Sequence, residues 1–373
     1  MPNPLRIVLS GGGTGGHIFP AVSIAHEIRA RYPHADIHFV GAQGRMEMER
    51  IPAAGYPITG IPIAGFQRKN LAKNLGLPAK IIRSLAQVRA LLRAQKPHAV
   101  LGTGGYVSGP TLFMAQRLGI PTLIQEQNGF AGWTNRLVSR RARAICTAYP
   151  GMERVFPADR TFQTGNPVRP EIAAMASHPP MEAERSAAKL ALGFDPNRPL
   201  ILILGGSQGA RAINHAVREA EATWMAAGHQ ILWQCGRFYI DELNAQFTPH
   251  PDRRITAFLD DMVAAYTAAD ILVSRAGAGT LSEVCCASAA ALLIPSPNVA
   301  EDHQTHNALS LHDRGAALHV RERDAAQVTG LVLDYLSDSS KLEGLRAGAR
   351  ALAQPRAAQE IVDHVERLWT WKP

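Results

Sequence analysis

Apolar and polar residues follow one another in blocks along this chain of 373 residues. Short apolar runs end in glycine-rich loops, and amphipathic stretches follow them. This succession predicts strands that alternate with helices in an α/β fold with parallel sheets. The predicted strands of the first half are Arg6–Ser10, Ile37–Gly41, Ala99–Gly102, Thr122–Gln125 and Ala144–Thr147. Those of the second half are Leu200–Leu204, Gln230–Gln234, Ile255–Ala257, Ile271–Ser274 and Ala291–Pro295.

The chain is long enough for about two domains of roughly 150 residues each. The sequence GNPVRP from Gly165 to Pro170 breaks the pattern and predicts a hinge between domains 1–164 and 165–354. A last helix, about residues 355–373, is expected to pack back on the first domain. Further predicted helices are a peripheral one over Met175–Leu192, and Ala210–Ala227 and Gly279–Ser288.

Glycine loops follow the first strand of each half, at Gly11-x-Gly13-x-x-Gly16 and at Gly205–Gly209. Such a loop at the start of a helix can bind an anion through backbone N–H groups and the helix dipole. A dinucleotide site would also need a carboxylate at the end of the second strand. The acid of that strand, Asp36, lies at its other end, which argues against a nicotinamide cofactor.

Composition indicates a soluble protein, with 46% hydrophobic and 19% charged residues. No apolar run reaches the roughly 18 residues of a membrane-spanning helix, and no secretory signal is recognised at the N-terminus. We therefore expect a cytoplasmic protein. The four cysteines have neither zinc nor disulfide spacing, so reduced thiols and no structural metal are expected. Cys285 and Cys286 are predicted to be packing residues.

The net charge of +8 is unevenly distributed, since no Asp or Glu occurs between Arg50 and Gln125. Within this stretch, the segment from Phe66 to Lys96 holds eight basic residues interleaved with aliphatic ones. One interpretation is a core-facing helix with a solvated basic side, whose apolar face is Ile81, Leu85, Val88 and Leu92. The other is a surface that docks on anionic lipid. Nucleic acid is disfavoured, because stacking on bases would require aromatic side chains.

A series of motifs resembles that of the MurG-type N-acetylglucosaminyltransferases over essentially the whole chain. The motifs are GGGTGGHIFP at Gly11, GTGGYVSGP at Gly102, QEQNGFAG at Gln125, GNPVR at Gly165, GGSQGAR at Gly205, FLDDM at Phe258, SRAGAGTLSE at Ser274 and PSPNVAEDHQTHNA at Pro295. The resemblance implies two Rossmann-like domains that face each other across a cleft, the GT-B architecture. It also implies transfer of N-acetylglucosamine from UDP-N-acetylglucosamine to undecaprenyl-diphospho-muramoylpentapeptide, which completes lipid II at the cytoplasmic face of the inner membrane.

The same resemblance implies two sets of binding residues. Those for the acceptor diphosphate are Gly13, Thr14, Gly104, Gly105 and Tyr106. Those for the UDP-sugar are Thr14, Gly15, Gly16, Asn128, Arg169, Ser207, Gln208, Gly209, Leu259, Ala278, Gly279, Thr280, Leu281, Ser282, Glu283 and Gln304. Among these, Glu283 would bind the ribose hydroxyls and Leu259 the uracil edge. The alternative for Glu283 is that it stabilises the helix dipole. The alternative for Arg169 is that it is a surface residue after a proline turn.

Transfer with inversion requires a base and a stabilised leaving group. His17 follows the first glycine loop at a helix start, which disfavours imidazolium and suits a proton acceptor. The alternative for His17 is a hydrogen-bond donor to phosphate or backbone, and Glu126 is the second candidate base. No Asp-x-Asp pair occurs, so no metal or cofactor is expected; helix dipoles, backbone N–H groups and Arg169 would stabilise the leaving UDP.

Two other functions stay open at this point. One is a nicotinamide-dependent oxidoreductase, which the missing ribose acid argues against. The other is a non-catalytic peripheral lipid-binding protein, which the basic segment supports. The second alternative gives no role to the motifs that contain Gly205 and Glu283. The expected partners of the transferase are its two substrates and an anionic membrane surface, with no nucleic acid.

Overall fold

The computed structural model describes residues 4–65, 75–206, 208–299 and 302–368. They form two compact units. The first unit contains the chain up to Arg169 and the residues from Arg356 onward, and the second contains Pro170–Pro355. Each unit is built on one parallel sheet.

The first sheet has seven strands in the order β3-β2-β1-β4-β5-β6-β7. Its strands are β1 Arg6–Gly11, β2 Asp36–Ala42, β3 Ile58–Ile61, β4 Ala99–Gly104, β5 Thr122–Glu126, β6 Ala144–Thr147 and β7 Thr161–Gln163. The chain first adds strands on one side of β1 and then continues with β4 on the other side. The carboxyl ends of β1 and β4 therefore flank the topological switch point, where open α/β sheets bind ligands.

The helices of this unit connect the strands and cover both faces of the sheet. They are α1 Gly15–Arg31, α2 Glu47–Ala53, α3 Leu77–Gln95, α4 Ser108–Arg117 and α5 Trp133–Ser139, with 3-10 turns at Met152–Arg154 and Ala158–Arg160. On one face α1 packs Ile18 and Ile28 against the sheet. On the other face, Val88 of α3 and Leu112 of α4 are buried. Both faces are covered by apolar side chains, as expected for a parallel sheet.

The second sheet has six strands in the order β10-β9-β8-β11-β12-β13. Its strands are β8 Leu200–Leu204, β9 Gln230–Gln234, β10 Arg253–Thr256, β11 Ile271–Ser274, β12 Ala291–Leu293 and β13 Leu318–His319. The helices are α6 Pro170–Met175, α7 Glu182–Ala191, α8 Arg211–Ala226, α9 Ile240–Gln246, α10 Met262–Ala268, α11 Ala278–Cys286, α12 His303–His312, α13 Val328–Leu336 and α14 Ser339–Ala351, with a 3-10 segment at Glu322–Gln327. Trp224 and Trp233 are the largest buried side chains of its core.

Helix α15, Ala357–Glu366, returns to the first unit and packs on α1. Its side chains Ile361, Val362 and Val365 are buried in the core that α1 shares with the sheet. Arg31 of α1 also pairs with Asp363 at 2.6 Å. The end of the chain is therefore part of the first unit.

Three sequence predictions of secondary structure are corrected. The single helix over Met175–Leu192 is wrong, because α6 ends at Met175 and α7 begins only at Glu182. Pro179 and Pro180 lie between them, and proline lacks the N–H that a continuous helix requires. Strands β3, β7 and β13 were not predicted. The first helix after Gly205–Gly209 begins at Arg211, one residue later than predicted.

The predicted apolar face of α3 is correct only in part. Val88 and Leu92 are buried, but Ser84 joins them and Ile81 is 38% exposed. Ile82 and Leu75 are 67% and 85% exposed. Residues 66–74 of the basic segment lie outside the described residues.

All four cysteines are buried free thiols. Burial raises the pKa of Cys285 and of Cys146 to about 12, and that of Cys286 to about 11. Cys285 and Cys286 contribute to packing, as predicted. Across the described ranges, no helix is long and apolar enough to cross a membrane.

Candidate active site

His17, which lies in the first turn of α1, and the residues around it follow the carboxyl ends of three neighbouring strands. His17 follows β1, Gly105 follows β4 and Gln127 follows β5. Because these strands are parallel and adjacent in the order β1-β4-β5, their carboxyl ends meet at one edge of the sheet. The fold thus brings together residues that are more than 100 positions apart in sequence.

The His17 ring is held at its Nδ1 atom by two oxygen atoms. Nδ1 lies 3.0 Å from the Thr103 carbonyl oxygen and 2.9 Å from Gln127 Oε1. The backbone is tied as well, since the Thr103 hydroxyl donates to the His17 carbonyl at 2.7 Å. The carbonyl oxygen of Thr103 can only accept, so the ring carries a proton on Nδ1. In the neutral ring the lone pair then lies on Nε2.

The second glycine motif makes space for this ring. Gly104 has φ +100°, and a Cβ there would lie 2.9 Å from His17 Nδ1. Gly105 has φ +77°, and a Cβ there would lie 2.3 Å from the Gly12 carbonyl oxygen and 3.3 Å from His17 Cδ2. Both the backbone conformation and the close approach of His17 therefore favour glycine. The absence of side chains at these two positions leaves space for the His17 ring. The contact of these glycines with a diphosphate stays a prediction.

Three buried side-chain amides surround the Nδ1 side of His17. Gln127 Nε2 donates to the Thr103 carbonyl at 2.5 Å and to Gln125 Oε1. Gln125 Nε2 donates to Asn166 Oδ1 at 2.9 Å, and Asn166 Nδ2 donates to the Gln127 carbonyl at 3.1 Å. Sequence analysis did not assign a role to Gln125, Gln127 or Asn166, although all three lie inside quoted motifs.

The Glu126 side chain is hydrogen-bonded to the loop that follows it. Its carboxylate accepts hydrogen bonds from Asn128 N at 3.2 Å, Gly132 N at 3.1 Å and Asn135 Nδ2 at 2.8 Å. The residue is 2% exposed. These contacts give both carboxylate oxygens a structural role, so the geometry favours His17 as the base. The role of Glu126 as a second base stays a prediction.

Sequence analysis missed Glu47, a fully buried acid at the first glycine loop. Its carboxylate accepts the Gly13 N–H at 3.1 Å and the Ala42 N–H at 3.0 Å. Gly13 was predicted to bind the acceptor diphosphate, but its N–H group donates to Glu47 in this structure. Glu47 is the first residue of α2, five residues after β2 ends, and an acid at such a position gives no sequence signal for this contact.

The other predicted residues of the first unit lie around the start of α1 and on the neighbouring loops. Thr14 is the N-cap of α1, and Gly15 and Gly16 form its first turn. Tyr106 packs beside Gly13, and burial raises the pKa of its phenol. Arg169 is the last residue before the second unit. Asn128 is described above on the Glu126 loop.

In the second unit, the glycine loop after β8 is braced by Gln234. The Gln234 side chain accepts the Gly206 N–H at 2.9 Å and donates to the Gly206 carbonyl at 2.9 Å. Gly209 has φ +89°, and its N–H donates to the Gly206 carbonyl at 2.9 Å. Gln208 is exposed, and Ser207 lies outside the described residues. The role of this loop in binding a diphosphate stays a prediction.

Glu283 lies in α11, which follows β11 at the same edge of the second sheet. Its Oε2 accepts a hydrogen bond from the Tyr266 hydroxyl at 3.0 Å. The residues of the first turns that were predicted to line the nucleotide differ in exposure. Leu281 and Ala278 are buried, while Gly279, Thr280 and Ser282 are partly exposed. Leu281 is 1% exposed and its N–H donates to the Gly277 carbonyl at 3.0 Å, so its contact with a nucleotide stays a prediction.

Gln304, in the first turn of α12, contacts the loop after β12, and Leu259 lies on the loop after β10. The Gln304 amide oxygen accepts the Ser296 N–H at 2.9 Å, so a donor sugar would be bound by its amide nitrogen. Leu259 is half-buried and follows Phe258, which is 39% exposed. In the parallel second sheet, these loops share an edge with Gly209 and Glu283.

Comparison with known proteins gives the family. The glycosyltransferase family 28 N-terminal domain matches residues 7–147, and the family 28 C-terminal domain matches residues 200–364. The chain belongs to glycosyltransferase family 28. The N-terminal match lies within the first unit, whereas the C-terminal match covers the second unit from residue 200 and continues into α15 of the first unit.

Relatives of this family 28 chain carry one name, UDP-N-acetylglucosamine--N-acetylmuramyl-(pentapeptide) pyrophosphoryl-undecaprenol N-acetylglucosamine transferase. The protein of Phocaeicola vulgatus is 48% identical over 99% of this chain and 97% of its own length. That of Bacteroides thetaiotaomicron is 47% identical over 99% of both. Among solved structures, MurG of Acinetobacter baumannii matches with a TM-score of 0.75 and 32% identity, covering 98% of this chain and 100% of that one.

These matches confirm the fold class predicted for this family 28 glycosyltransferase, an α/β chain of GT-B type. They also confirm the resemblance to the MurG-type enzymes. Among the described residues, no group of three or more His, Cys, Asp or Glu side chains could hold a metal ion.

Proposed function

We propose that this chain transfers N-acetylglucosamine from UDP-N-acetylglucosamine to the muramoyl sugar of undecaprenyl-diphospho-muramoylpentapeptide, and so forms lipid II for peptidoglycan synthesis. The observation that carries the proposal is identity of 47–48%, over nearly the full length, with relatives named for this transfer. Family 28 membership supports this function over a nicotinamide oxidoreductase and over a non-catalytic lipid-binding protein.

The reaction is a displacement at the anomeric carbon of the donor sugar. The acceptor hydroxyl forms a new bond to that carbon, the bond to the UDP oxygen breaks, and the configuration inverts. His17 Nε2 takes the hydroxyl proton, because Nδ1 already carries a proton that faces Thr103 O and Gln127 Oε1. The electron pair of the broken bond leaves on UDP.

The second unit binds the donor at the carboxyl edge of its sheet. The loop Ser207–Gly209 binds the diphosphate, residues 278–283 line the nucleotide and Leu259 binds the uracil edge through its backbone. Glu283 accepts hydrogen bonds from the ribose, and Gln304 binds the sugar. The first unit contributes Thr14, Gly15, Gly16, Asn128 and Arg169 to the donor.

The first unit binds the acceptor diphosphate at the start of α1 and at the Gly104 loop. Thr14 and Gly105 with Tyr106 lie on neighbouring loops at this edge. The N–H groups at the beginning of a helix favour an anion. Gly13 joins this set if Glu47 releases its N–H group.

The enzyme acts as a peripheral protein at an anionic membrane surface on the cytoplasmic side. Support comes from α3, where Lys80, Arg83, Arg89 and Arg93 are exposed beside exposed Ile82. Each basic group near an anionic surface contributes about 1 kcal/mol. The polyprenyl tail of the acceptor stays in the bilayer during transfer.

No metal or other cofactor takes part in this mechanism. The charge of the leaving diphosphate is stabilised by helix N-termini, backbone N–H groups and the permanent charge of Arg169. Preorganised donors of this kind need no metal to act on a developing anion.

A transfer assay tests the proposal. The purified chain is incubated with UDP-N-acetylglucosamine and the lipid-linked muramoylpentapeptide, with and without EDTA, and the product is analysed by mass spectrometry. We expect the acceptor to gain one N-acetylhexosamine, with one UDP released per transfer, in both conditions. Absence of the product, or release of UDP that does not depend on the acceptor, would refute the function.

A further inference from the structure

We propose that Gln127 is a positioning residue that holds the His17 ring in the tautomer with its proton on Nδ1 and its lone pair on Nε2. The effect on turnover rests on the proposed function, whereas the tautomer itself can be measured without it. The proposal gives a role to a residue that neither the motifs nor the comparisons assign.

The atoms around His17 Nδ1 determine the tautomer of the ring. The Thr103 carbonyl at 3.0 Å and Gln127 Oε1 at 2.9 Å are both acceptors. The other tautomer would direct the Nδ1 lone pair at two oxygen atoms and lose both hydrogen bonds. The lone pair therefore lies on Nε2, on the far side of the ring from Gln127.

The neighbouring acceptors determine the orientation of the Gln127 amide. Its Nε2 faces the Thr103 carbonyl and Gln125 Oε1, and both are acceptors. Reversing the amide would direct an oxygen at these oxygens and a nitrogen at the His17 N–H group. The amide oxygen must therefore face His17.

The orientation of the Gln125 amide is also fixed. Gln125 Nε2 donates to Asn166 Oδ1, and Asn166 Nδ2 donates to the Gln127 carbonyl. Gln125, Gln127 and Asn166 are at most 3% exposed. The Gln127 carbonyl can only accept a hydrogen bond, so it determines the orientation of the Asn166 amide, which in turn determines that of Gln125. Buried polar groups that are all hydrogen-bonded in this way favour one arrangement.

Without Gln127, the His17 ring would lose one of the two hydrogen-bond acceptors at Nδ1. The Thr103 carbonyl alone would still accept from Nδ1, but the ring would have one partner in place of two. Turning the ring by half a turn about its Cβ–Cγ bond would place carbon where Nδ1 now lies. Gln127 thus adds a second acceptor that favours the same tautomer, and it limits the rotation of the ring that presents Nε2.

The test compares Gln127→Met with Gln116→Met. Methionine keeps the length of the side chain and removes the amide. Gln116 also donates two hydrogen bonds, to Thr122 Oγ1 at 3.1 Å and the Val138 carbonyl at 2.9 Å, but it has no contact with His17. We expect Gln127→Met to lower kcat about tenfold, the equivalent of one lost hydrogen bond, with both KM values within twofold of wild type. Gln116→Met is expected to leave kcat unchanged.

Two further readouts separate positioning from general stability. In wild-type protein with ¹⁵N-labelled histidine, the His17 ring, assigned by its loss in His17→Ala, is expected to carry its proton on Nδ1. In the His17→Ala background, Gln127→Met is expected to lower kcat no further, because Gln127 acts through His17.

Three results would overturn the proposal. They are a wild-type His17 ring protonated on Nε2, a Gln127→Met kcat equal to that of Gln116→Met, and an additive loss in the double variant. The nitrogen spectrum of the wild type decides the tautomer even if Gln127→Met fails to fold. A wild-type chain that transfers no sugar refutes the proposed function and leaves that spectrum to decide the position of the proton.

Discussion

The Glu47 carboxylate accepts the backbone N–H of Gly13 at 3.1 and 3.3 Å, across 34 positions of sequence. The same carboxylate accepts the N–H of Ala42, at the end of β2. One buried acid thus joins the loop after β1 to the end of the neighbouring strand. The glycine loop at the start of α1 is thus hydrogen-bonded to an acidic side chain of the protein itself.

The first prediction concerns this acid. Glu47→Ala leaves the buried N–H of Ala42 and the half-buried N–H of Gly13 without their acceptor, so it should lower the free energy of unfolding by roughly 3 kcal/mol. Glu49→Ala removes an exposed acid from the same helix and should have little effect. Urea unfolding measures both. Equal stabilities of the two variants would show that the Glu47 contacts contribute nothing.

The second prediction concerns the space beside His17. Gly104→Ala and Gly119→Ala both place a side chain at positive φ, but a Cβ meets His17 only at position 104. Each should cost about 1 kcal/mol of stability from backbone strain. Only Gly104→Ala should also lower kcat, because the His17 ring must move. Equal kcat values for the two variants would contradict this account of Gly104.

The strands were the easiest part of the fold to predict. The runs at Leu200–Leu204 and Ile271–Ser274 are continuous and apolar because parallel strands are buried on both faces. Strands β7 and β13 were missed because they are short, lie at sheet edges and are only partly buried. Local patterning carries little information about such strands, since neighbouring chain segments determine them.

The candidate site was predicted unevenly for a similar reason. His17 could be found because it follows a glycine loop at a helix start. Glu47 and Gln127 could not, because their roles depend on contacts across 34 and 110 positions. A motif shows that a residue lies near the site, whereas only the fold shows which atoms it contacts.

The third prediction concerns donor binding in the second unit. Glu283→Ala removes the proposed ribose acceptor and should raise the KM for UDP-N-acetylglucosamine at least tenfold, while the acceptor KM changes little. Glu219→Ala removes an exposed acid from α8 of the same unit and serves as the control. Steady-state kinetics measure both constants. An unchanged donor KM in Glu283→Ala would refute the ribose assignment.

The fourth prediction concerns membrane docking. Replacement of Lys73, Lys80 and Arg83 by glutamate should weaken binding to anionic vesicles and slow turnover of the long-chain acceptor, but not of a short-chain soluble one. Arg314, Arg321 and Arg323 are exposed residues of the second unit, and the same replacement there changes the net charge equally.

Vesicle co-sedimentation at low salt is the measurement. Binding of the wild type should fall as salt shortens the Debye length from about 10 Å at 0.1 M to about 3 Å at 1 M. If the variant at Lys73, Lys80 and Arg83 and the control variant at Arg314, Arg321 and Arg323 bind equally well, the basic segment does not dock on anionic lipid.

The most direct test of the central claim is the turnover of His17→Ala. The account holds that His17 Nε2 accepts the proton of the attacking hydroxyl, so kcat should fall by roughly 10²–10⁴-fold. UDP binding, measured by calorimetry, should stay at the wild-type level. A near-wild-type kcat in a variant that binds UDP normally would contradict the account, and would transfer the role of base to another group.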